Sequence, residues 1–320
     1  MRTPIPPVTL DAIEAARTRL PAEALNTPLL PLELDGPGRL FLKLESLQPI
    51  GSFKLRGAGN AMARLDPATL SQGVYTASAG NMAQGVAWNA QRLGVPCTVI
   101  VPEHAPQTKL EAIRSMGARI VSVAFDEWWQ VIMTHTFDGA TGTFIHPVSN
   151  PDVIAGNGTV GLEIVEQLPE VDTVVVPYGG GGLSCGIASA LKGLGRTTPV
   201  YASEVETSGP LSASLEAGRP VSVDRRESFV DGIGGRSVLE EMWPLARDLL
   251  AGAIVVSLED IAAAIRLLAT RAHIIAEGAG ASSVAAARTG RAGEGTIVCV
   301  ISGGNIDFPI LETILRGKLP

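Results

Sequence analysis

Four short segments of the sequence combine residue types that can do chemistry, and each adjoins a predicted strand or helix. The first is Pro49–Gly57, in which Lys54 stands between Phe53 and Leu55. Apolar neighbours desolvate an amine and lower its pKa, and a neutral amine can attack a carbonyl to form a Schiff base. Taken alone, Lys54 could equally begin a helix and extend its amine to solvent.

Two further segments suit the binding of anions. Ser78–Asn81 lies between an apolar strand and a helix, where free N–H groups and the helix dipole can bind a carboxylate. An ordinary turn with Ser78 as helix cap is the alternative. Gly179–Leu183 contains four glycines, which let several N–H groups converge on one phosphate. It is not a P-loop, because no Gly-Lys-Ser/Thr follows, and Ser184 and Cys185 break a Gly-x-Gly-x-x-Gly pattern.

The fourth segment is Ser302–Asn305, directly after a predicted strand. Ligands of open parallel sheets bind at the carboxyl ends of the strands, so we expect Ser302 to direct its hydroxyl into the same crevice as the other three segments. A glycine turn that leaves the last strand is the alternative. Each segment alone is a modest signal, but all four lie where a strand ends in one α/β chain.

Alternation of short aliphatic runs with longer helical patterns predicts βαβ units and a parallel sheet. The predicted strands are Leu40–Leu44, Val74–Ala77, Thr98–Val101, Ile120–Val123, Thr173–Val176, Val200–Ser203, Ala253–Val256 and Thr296–Ile301. The predicted helices are Leu10–Leu20, Met82–Leu93, Gln107–Met116, Ala155–Gln167, Leu183–Leu194, Leu258–Ala269 and Ser282–Ala287. An irregular segment, Ala140–Pro151, separates two stretches of this pattern, and we expect a change of domain there.

Composition narrows the class of protein. Of the 320 residues, 46% are hydrophobic and 4% aromatic, which suits aliphatic parallel strands. The net charge of −7 argues against nucleic acid or an anionic membrane as a partner. The cysteines form no Cys-x-x-Cys pair and their odd number argues against a disulfide framework, so a cytoplasmic location is expected (Cys97, Cys185 and Cys299). Residues 1–20 do not form a signal peptide, and no apolar run reaches membrane-spanning length.

The four segments, SFKLRG, SAGN, GGGGL and SGGN, resemble those of the fold-type II pyridoxal-phosphate enzymes in order and approximate spacing. Within that family the chain is most similar to the serine/threonine dehydratase and serine racemase group, from Phe41 to Asn305. The resemblance implies an α/β fold with two open, twisted, mostly parallel sheets, like the tryptophan synthase β subunit. It also implies a large cofactor-binding domain, residues 1–46 and 147–320, and a small mobile domain, residues 47–146.

The resemblance further implies a role for each residue. Lys54 would hold pyridoxal 5'-phosphate through a Schiff base and act as catalytic base, with Phe53 near the ring. Asn81 would bond the ring hydroxyl, Ser302 the ring nitrogen, and Glu277 would lie close to the ring. The phosphate would be bound by the backbone of Gly179, Gly180, Gly181, Gly182 and Leu183, and the substrate carboxylate by Ser78, Ala79, Gly80 and Asn81.

The implied activity is dehydration and deamination of a small L-3-hydroxy amino acid, of the threonine or serine type, to a 2-oxo acid and ammonia by a homodimer. Alternatives within the family are hydroxyaspartate or phenylserine dehydratase, racemase, and cysteine or threonine synthase. From a different class, an NAD-dependent oxidoreductase would place pyrophosphate on the glycine run and ribose on Glu204, leaving Lys54 without a role. A binding or assembly protein without catalysis is a further alternative.

Several positions depart from the group pattern. Ala79 stands where the racemases have a second serine, so we expect little racemisation. Met82 replaces a histidine. Glu204 matches a divalent-cation ligand of some relatives, but Pro210 replaces the second carboxylate, so no metal is the main expectation and Glu204 a minor one. Trp128 and Trp129 could recognise a bulky substrate or cover an interface, although packing on a small-domain helix is the preferred interpretation. Because the chain stops soon after Asn305, we expect no regulatory domain and no feedback control.

Overall fold

The computed structural model describes residues 3–33, 38–105 and 107–320. Met1, at which the predicted large domain starts, lies outside the described residues. The strands are β1 (Leu29–Leu32), β2 (Gly38–Lys43), β3 (Val74–Ala77), β4 (Cys97–Pro102), β5 (Arg119–Val123), β6 (Thr143–Phe144), β7 (Thr173–Pro177), β8 (Val200–Val205), β9 (Gly252–Val256) and β10 (Gly295–Val300).

Helices connect these strands in the βαβ manner. They are α1 (Leu10–Arg19), α2 (Lys54–Ala63), α3 (Pro67–Ser71), α4 (Asn81–Leu93), α5 (Gln107–Ser115), α6 (Phe125–Thr134), α7 (Pro151–Gln167), α8 (Ser184–Gly193), α9 (Pro210–Ala217), α10 (Trp243–Leu249), α11 (Leu258–Leu267), α12 (Gly278–Arg288) and α13 (Phe308–Leu315). Within the described part of the chain, none of them has the length and apolar character that crossing a membrane would require.

The strands form two separate sheets. The larger has the order β1-β2-β10-β7-β8-β9 and is parallel except for the antiparallel pair β1–β2. The smaller has the order β5-β4-β3-β6 and is parallel throughout. The predicted fold class, an α/β protein with two mostly parallel sheets, is therefore confirmed. The smaller sheet falls within residues 47–146, but a separate movement of those residues stays a prediction.

Hydrophobic clusters cover both faces of each sheet. Alternate residues of β7 show the pattern, because Val174 and Val176 face helices α1, α7 and α8, whereas Val175 faces α11 and α12. Burial on both faces explains why these strands read as continuous aliphatic runs in the sequence. The smaller sheet is covered by α4 and α5 on one face and by α6 on the other.

Two predicted helix starts and one predicted irregular segment differ from the structure in an informative way. Helix α7 starts at Pro151 rather than Ala155, because the Asn150 side chain accepts from the N–H groups of Asp152 and Val153 and proline suits the first helical position. Helix α12 starts four residues early, at Gly278. Its glycines mark close packing instead of a turn. A Cβ on Gly280 would lie 2.7 Å from the carbonyl oxygen of Gly303. The segment Ala140–Pro151 is not wholly irregular, since it contains β6.

A buried ion cluster fixes α2 against α7. The guanidinium of Arg56 is fully buried and donates to Glu45 (2.8 Å to Oε1 and to Oε2) and to Glu163 (2.6 Å to Oε1). The buried amine of Lys43 donates to Glu163 at 2.6 Å. Burial alone would disfavour ionisation of Glu45, but the Arg56 charge and its hydrogen bonds outweigh burial and hold the pKa of Glu45 below its usual value. Two cations thus neutralise two carboxylates in the core.

Removal of Arg56 should strongly destabilise the protein. In the variant Arg56→Met, two buried carboxylates lose their shared partner, and we expect the free energy of unfolding to fall by about 3–5 kcal/mol. Arg17→Met is the matched control, because it breaks the exposed pair Arg17–Glu166, which is worth at most about 1 kcal/mol. Urea unfolding followed by circular dichroism measures both. Equal losses in the two variants would contradict a structural role for the cluster.

Candidate active site

A cleft of 710 Å³ lies at the carboxyl ends of strands from both sheets. The turns after β3, β4 and β5 line it from the smaller sheet, and the turns after β7 and β10 line it from the larger. The predicted site residues that line this cleft are Phe53, Lys54, Ser78, Ala79, Gly80, Asn81, Gly179, Gly180, Gly181, Gly182, Leu183, Glu277 and Ser302. Residues from distant parts of the sequence therefore meet at one place, as the strand-end argument predicted.

The amine of Lys54 is held inside the cleft. The alternative interpretation of Lys54 was that it begins a helix and extends its amine to solvent. Lys54 does begin α2, but its amine does not extend to solvent. Its Nζ donates to the carbonyl oxygen of Pro147 at 3.1 Å and lies 5.1 Å from the centroid of the Phe53 ring. Burial lowers the pKa of Lys54 to about 8, against the opposing charge of Glu277. An amine with this pKa is a competent nucleophile towards a carbonyl near neutral pH.

Close backbone contacts set the start of α2. The N–H of Phe53 donates to the carbonyl oxygen of Ser302 at 3.1 Å, and Ser52 pairs with Gly303 in an antiparallel bridge. From the other side, α4 packs so closely that a Cβ on Gly85 would lie 3.0 Å from the Lys54 carbonyl group. Lys54 is thus held between the loop that follows β10 and helix α4, which belong to different sheets.

The glycine run forms an anion cradle between β7 and α8. Among the described residues, the backbone N–H groups of Gly179–Leu183 have no hydrogen-bond acceptor. Gly181 has φ +97°, which side-chain-bearing residues rarely adopt, and a Cβ on Gly180 would lie 2.8 Å from the Val148 side chain. Five consecutive free N–H groups at the start of a helix suit a phosphate.

The turn at the start of α4 also has free backbone N–H groups. The Ser78 hydroxyl accepts from the N–H of Gly80 at 3.1 Å, so Ser78 orders its own turn. The N–H groups of Ala79 and Asn81 find no acceptor in the described part of the chain. Met82, which is buried and lines the cleft, occupies the position that the resemblance gives to histidine. The turn can therefore bind a carboxylate through its backbone.

A hydrogen-bonded chain links Asn81 to the larger sheet. The Asn81 amide donates to Glu277 Oε1 and accepts from Asn305 Nδ2, both at 2.8 Å, and Asn305 also donates to the carbonyl oxygen of Ile50 at 2.9 Å. Sequence reasoning gave Asn305 no role. The sequence did contain a signal for such a role, because the Asn305 amide follows a pair of glycines at the end of a strand. Burial raises the pKa of Glu277 to about 7, with a further rise from Asp231.

Further residues complete the cleft, and the sequence had not singled out two of them, Lys109 and Asp231. Lys109 on α5 pairs with Asp231 from the opposite side, and no local pattern could have predicted a contact across 122 positions. Trp128 and Trp129 pack against the smaller sheet, as preferred, and also line the cleft. The preferred interpretation, packing, is therefore confirmed, and substrate recognition by the two rings stays a prediction.

Glu204 lies outside the cleft. Both of its carboxylate oxygens accept at 2.8 Å, from the N–H groups of Leu211 and Ser212, and thus cap α9. Burial raises its pKa to about 7. Among the described residues, no group of three or more His, Cys, Asp or Glu could hold a metal ion. Helix capping explains the buried carboxylate, and the minor expectation of a cation there stays a prediction.

The geometry defines an α/β protein with a desolvated lysine amine and an anion cradle in one cleft. The pyridoxal-phosphate dependent enzyme family matches residues 22–303 of the chain, and the protein belongs to that family. An L-threonine ammonia-lyase of Thermotoga maritima is 39% identical over 98% of this chain and 79% of its own. Another, of Geobacter sulfurreducens, is 42% identical over 88% of this chain and 70% of its own.

Solved structures agree with this assignment. Maize serine racemase superposes with a TM-score of 0.88 at 31% identity, covering 98% of each chain. The processed form of threonine deaminase isoform 2 from Solanum lycopersicum superposes with a TM-score of 0.85 at 33% identity, covering 96% of this chain and 86% of that one. The family resemblance stated from the four segments is confirmed. The oxidoreductase alternative is wrong, because the family is a different one and its ribose residue, Glu204, caps a helix.

The lowered pKa of Lys54 should be visible in the rate of cofactor uptake. Only the neutral amine attacks an aldehyde, so we expect apoprotein to combine with pyridoxal 5'-phosphate at a rate that levels off above about pH 8, instead of 10.5 as for an ordinary lysine. Glu277 raises the pKa of Lys54, so Glu277→Gln should move the profile to lower pH. Stopped-flow absorbance between pH 6 and 10 measures the rate.

Glu227→Gln serves as the matched control, because Glu227 also lines the cleft but is not among the charges that act on Lys54. Its profile should coincide with that of the unchanged protein. A plateau reached only near pH 10.5, or a Glu277→Gln profile shifted to higher pH, would contradict the electrostatic assignment.

Proposed function

We propose that the protein deaminates L-threonine and L-serine to 2-oxo acids and ammonia as a pyridoxal-phosphate-dependent ammonia-lyase. The observation that carries the proposal is the pairing, in one cleft, of the Lys54 amine with the free N–H groups of Gly179–Leu183. An amine and a phosphate cradle are what an aldehyde that carries a phosphate requires. Relatives named as threonine ammonia-lyases, 39% and 42% identical, support the reaction type.

When bound, pyridoxal 5'-phosphate would supply the carbonyl for the substrate amine and an electron sink next to the α-carbon. Lys54 would hold it covalently, with Phe53 beside the ring. Gly179–Leu183 would bind its phosphate through the backbone, while Asn81 and Ser302 would bond its ring hydroxyl and ring nitrogen. A serine hydroxyl does not force a proton onto that nitrogen as a carboxylate would. The weaker sink suits β-elimination, because the leaving hydroxyl takes up the electron pair.

The proton transfer is assigned to Lys54. Its amine would take the α-proton onto Nζ, and burial keeps that nitrogen neutral often enough to act as a base near neutral pH. The free N–H groups of Ala79 and Asn81 hold the substrate carboxylate, which orients the Cα–H bond. Loss of the β-hydroxyl as water, followed by hydrolysis of the resulting enamine, gives the 2-oxo acid and ammonia.

Movement of residues 47–146 as a small domain forms part of the proposal. Two contacts support it, because Asn81–Glu277 and Lys109–Asp231 join the smaller sheet to the larger one directly across the cleft. Closure would bring the Ser78–Asn81 turn onto the substrate and exclude water. A homodimer and a cytoplasmic location belong to the same proposal and rest on the family resemblance and the composition.

Turnover of a substrate panel tests the reaction. We expect L-threonine and L-serine to yield 2-oxo acid and ammonia in equal amounts, and Lys54→Ala to lower kcat by at least about 10³-fold, because both the covalent link and the base are lost. Coupled lactate dehydrogenase and glutamate dehydrogenase assays measure the two products. A cofactor-loaded protein that releases no oxo acid from either amino acid would refute the proposal.

Racemisation should be slow in comparison with elimination. Serine racemases are among the structural neighbours, but Ala79 has no hydroxyl to protonate the second face of the substrate. We expect D-serine formation from L-serine well below the rate of pyruvate formation, and we expect Ala79→Ser to raise it. Chiral chromatography measures D-serine, with Ala83→Ser, a buried position outside the cleft lining, as the control. A racemisation rate in the unchanged protein that rivals elimination would overturn this assignment.

A further inference from the structure

Three aromatic side chains of the first turns of α6 line the cleft together. We call Phe125, Trp128 and Trp129 the aromatic wall. Their ring centroids lie 5.6 Å apart for Phe125–Trp128 and 6.2 Å apart for Trp128–Trp129, which are contact distances for aromatic pairs. The sequence has only four tryptophans, and two of them lie here. Deamination of a substrate whose side chain ends in a methyl group does not require such a surface.

Packing on both sides holds the aromatic wall in place. Trp128 and Trp129 contact the hydrophobic cluster on the smaller sheet, which includes Tyr75 and Ile132. On the other side, the guanidinium of Arg236 lies 4.9 Å from the centroid of the Phe125 ring. Because its rings are fixed before a ligand arrives, the wall can bind an apolar group without first being ordered.

Sheet geometry places the wall at a distance that a short side chain does not cover. The proposed carboxylate turn follows β3, whereas the wall follows β5, and β4 lies between those two strands. Two strand spacings amount to about 10 Å. A methyl group on the β-carbon would end far short of the wall, while a six-membered ring on the same carbon would extend towards it.

The three cations nearest the wall already have partners. Lys109 is paired with Asp231, the Nε of Arg225 donates to the carbonyl oxygen of Gly234 at 3.1 Å, and Arg236 lies over Phe125. The carboxylate of Glu227 lines the same region.

We propose, on the basis of the proposed function, that the aromatic wall binds the β-substituent and that the protein deaminates 3-hydroxy amino acids with an aryl substituent, such as phenylserine. The Cα–H and Cβ–O bonds break, the α-proton goes to Lys54 Nζ, and the hydroxyl leaves as water. Hydrolysis of the enamine then releases phenylpyruvate and ammonia. No oxidant or reductant is needed, because phenylserine equals phenylpyruvate plus ammonia in composition.

Steady-state kinetics with matched substrates test the wall. We expect the KM for L-threo-phenylserine to lie about tenfold below that for L-threonine, since one aromatic pair contributes up to about a tenfold step in affinity. Trp128→Leu and Trp129→Leu keep the hydrophobic packing but remove the ring, and each should raise the phenylserine KM by about tenfold while changing that for threonine less than about threefold. Trp88→Leu is the control, because Trp88 contacts Arg92 outside the cleft.

Calorimetric titration with L-phenylalanine, using L-alanine for comparison, measures binding of the ring without turnover. Wall-dependent binding of L-phenylalanine together with phenylserine turnover supports the proposal. Threonine turnover without binding or turnover of the aryl ligands overturns it and leaves the proposed function intact. The proposal is also overturned if Trp128→Leu and Trp129→Leu raise the KM for threonine as much as the KM for phenylserine. If L-phenylalanine binds but no hydroxy amino acid yields an oxo acid, the proposed function and this inference both fail.

Discussion

The buried guanidinium of Arg56 fixes the position on which the whole cleft depends. Arg56 and Lys54 are two positions apart on α2 and therefore project from different faces of the helix. One face enters the ion cluster with Glu45 and Glu163, and the other carries the amine into the cleft. Breaking a buried ion pair is costly, so the cluster keeps α2 at one register and one rotation against α7. Because Lys54 lies on α2, the same cluster also fixes the position of Lys54.

A second set of contacts ties the same amine to the end of the larger sheet. The bridge between Ser52 and Gly303 makes the loop before Lys54 and the loop after β10 one structural unit. Asn305 extends this unit to Asn81, whose helix begins at the turn with the free N–H groups. The sites proposed for the covalent link, the ring nitrogen and the carboxylate thus share a backbone frame. Catalytic geometry within a fraction of an ångström depends on such a frame.

The sequence predicted which residues lie at the strand ends, but it did not predict which residues pair with the buried charges. In a parallel sheet, a strand and its following turn are local features, so Ser78–Asn81, Gly179–Leu183 and Ser302 were correctly assigned to one crevice. The pairing of Arg56 with Glu163 spans 107 positions and leaves no periodic trace. Strands β1 and β6 were missed, because β1 contains a proline and β6 has only two residues.

Two buried glutamates show why the surroundings of a group decide its function more than its pKa. Burial raises the pKa of both Glu204 and Glu277 to about 7. Glu204 is bonded to two backbone N–H groups of the helix that it caps, and these cannot move without unwinding α9. Glu277 instead accepts from Asn81, which stands at the turn after β3 in the other sheet. Its charge also raises the pKa of Lys54. A proton on Glu277 therefore weakens the contact between the sheets and lowers the basicity of the amine together, whereas a proton on Glu204 affects only a helix end.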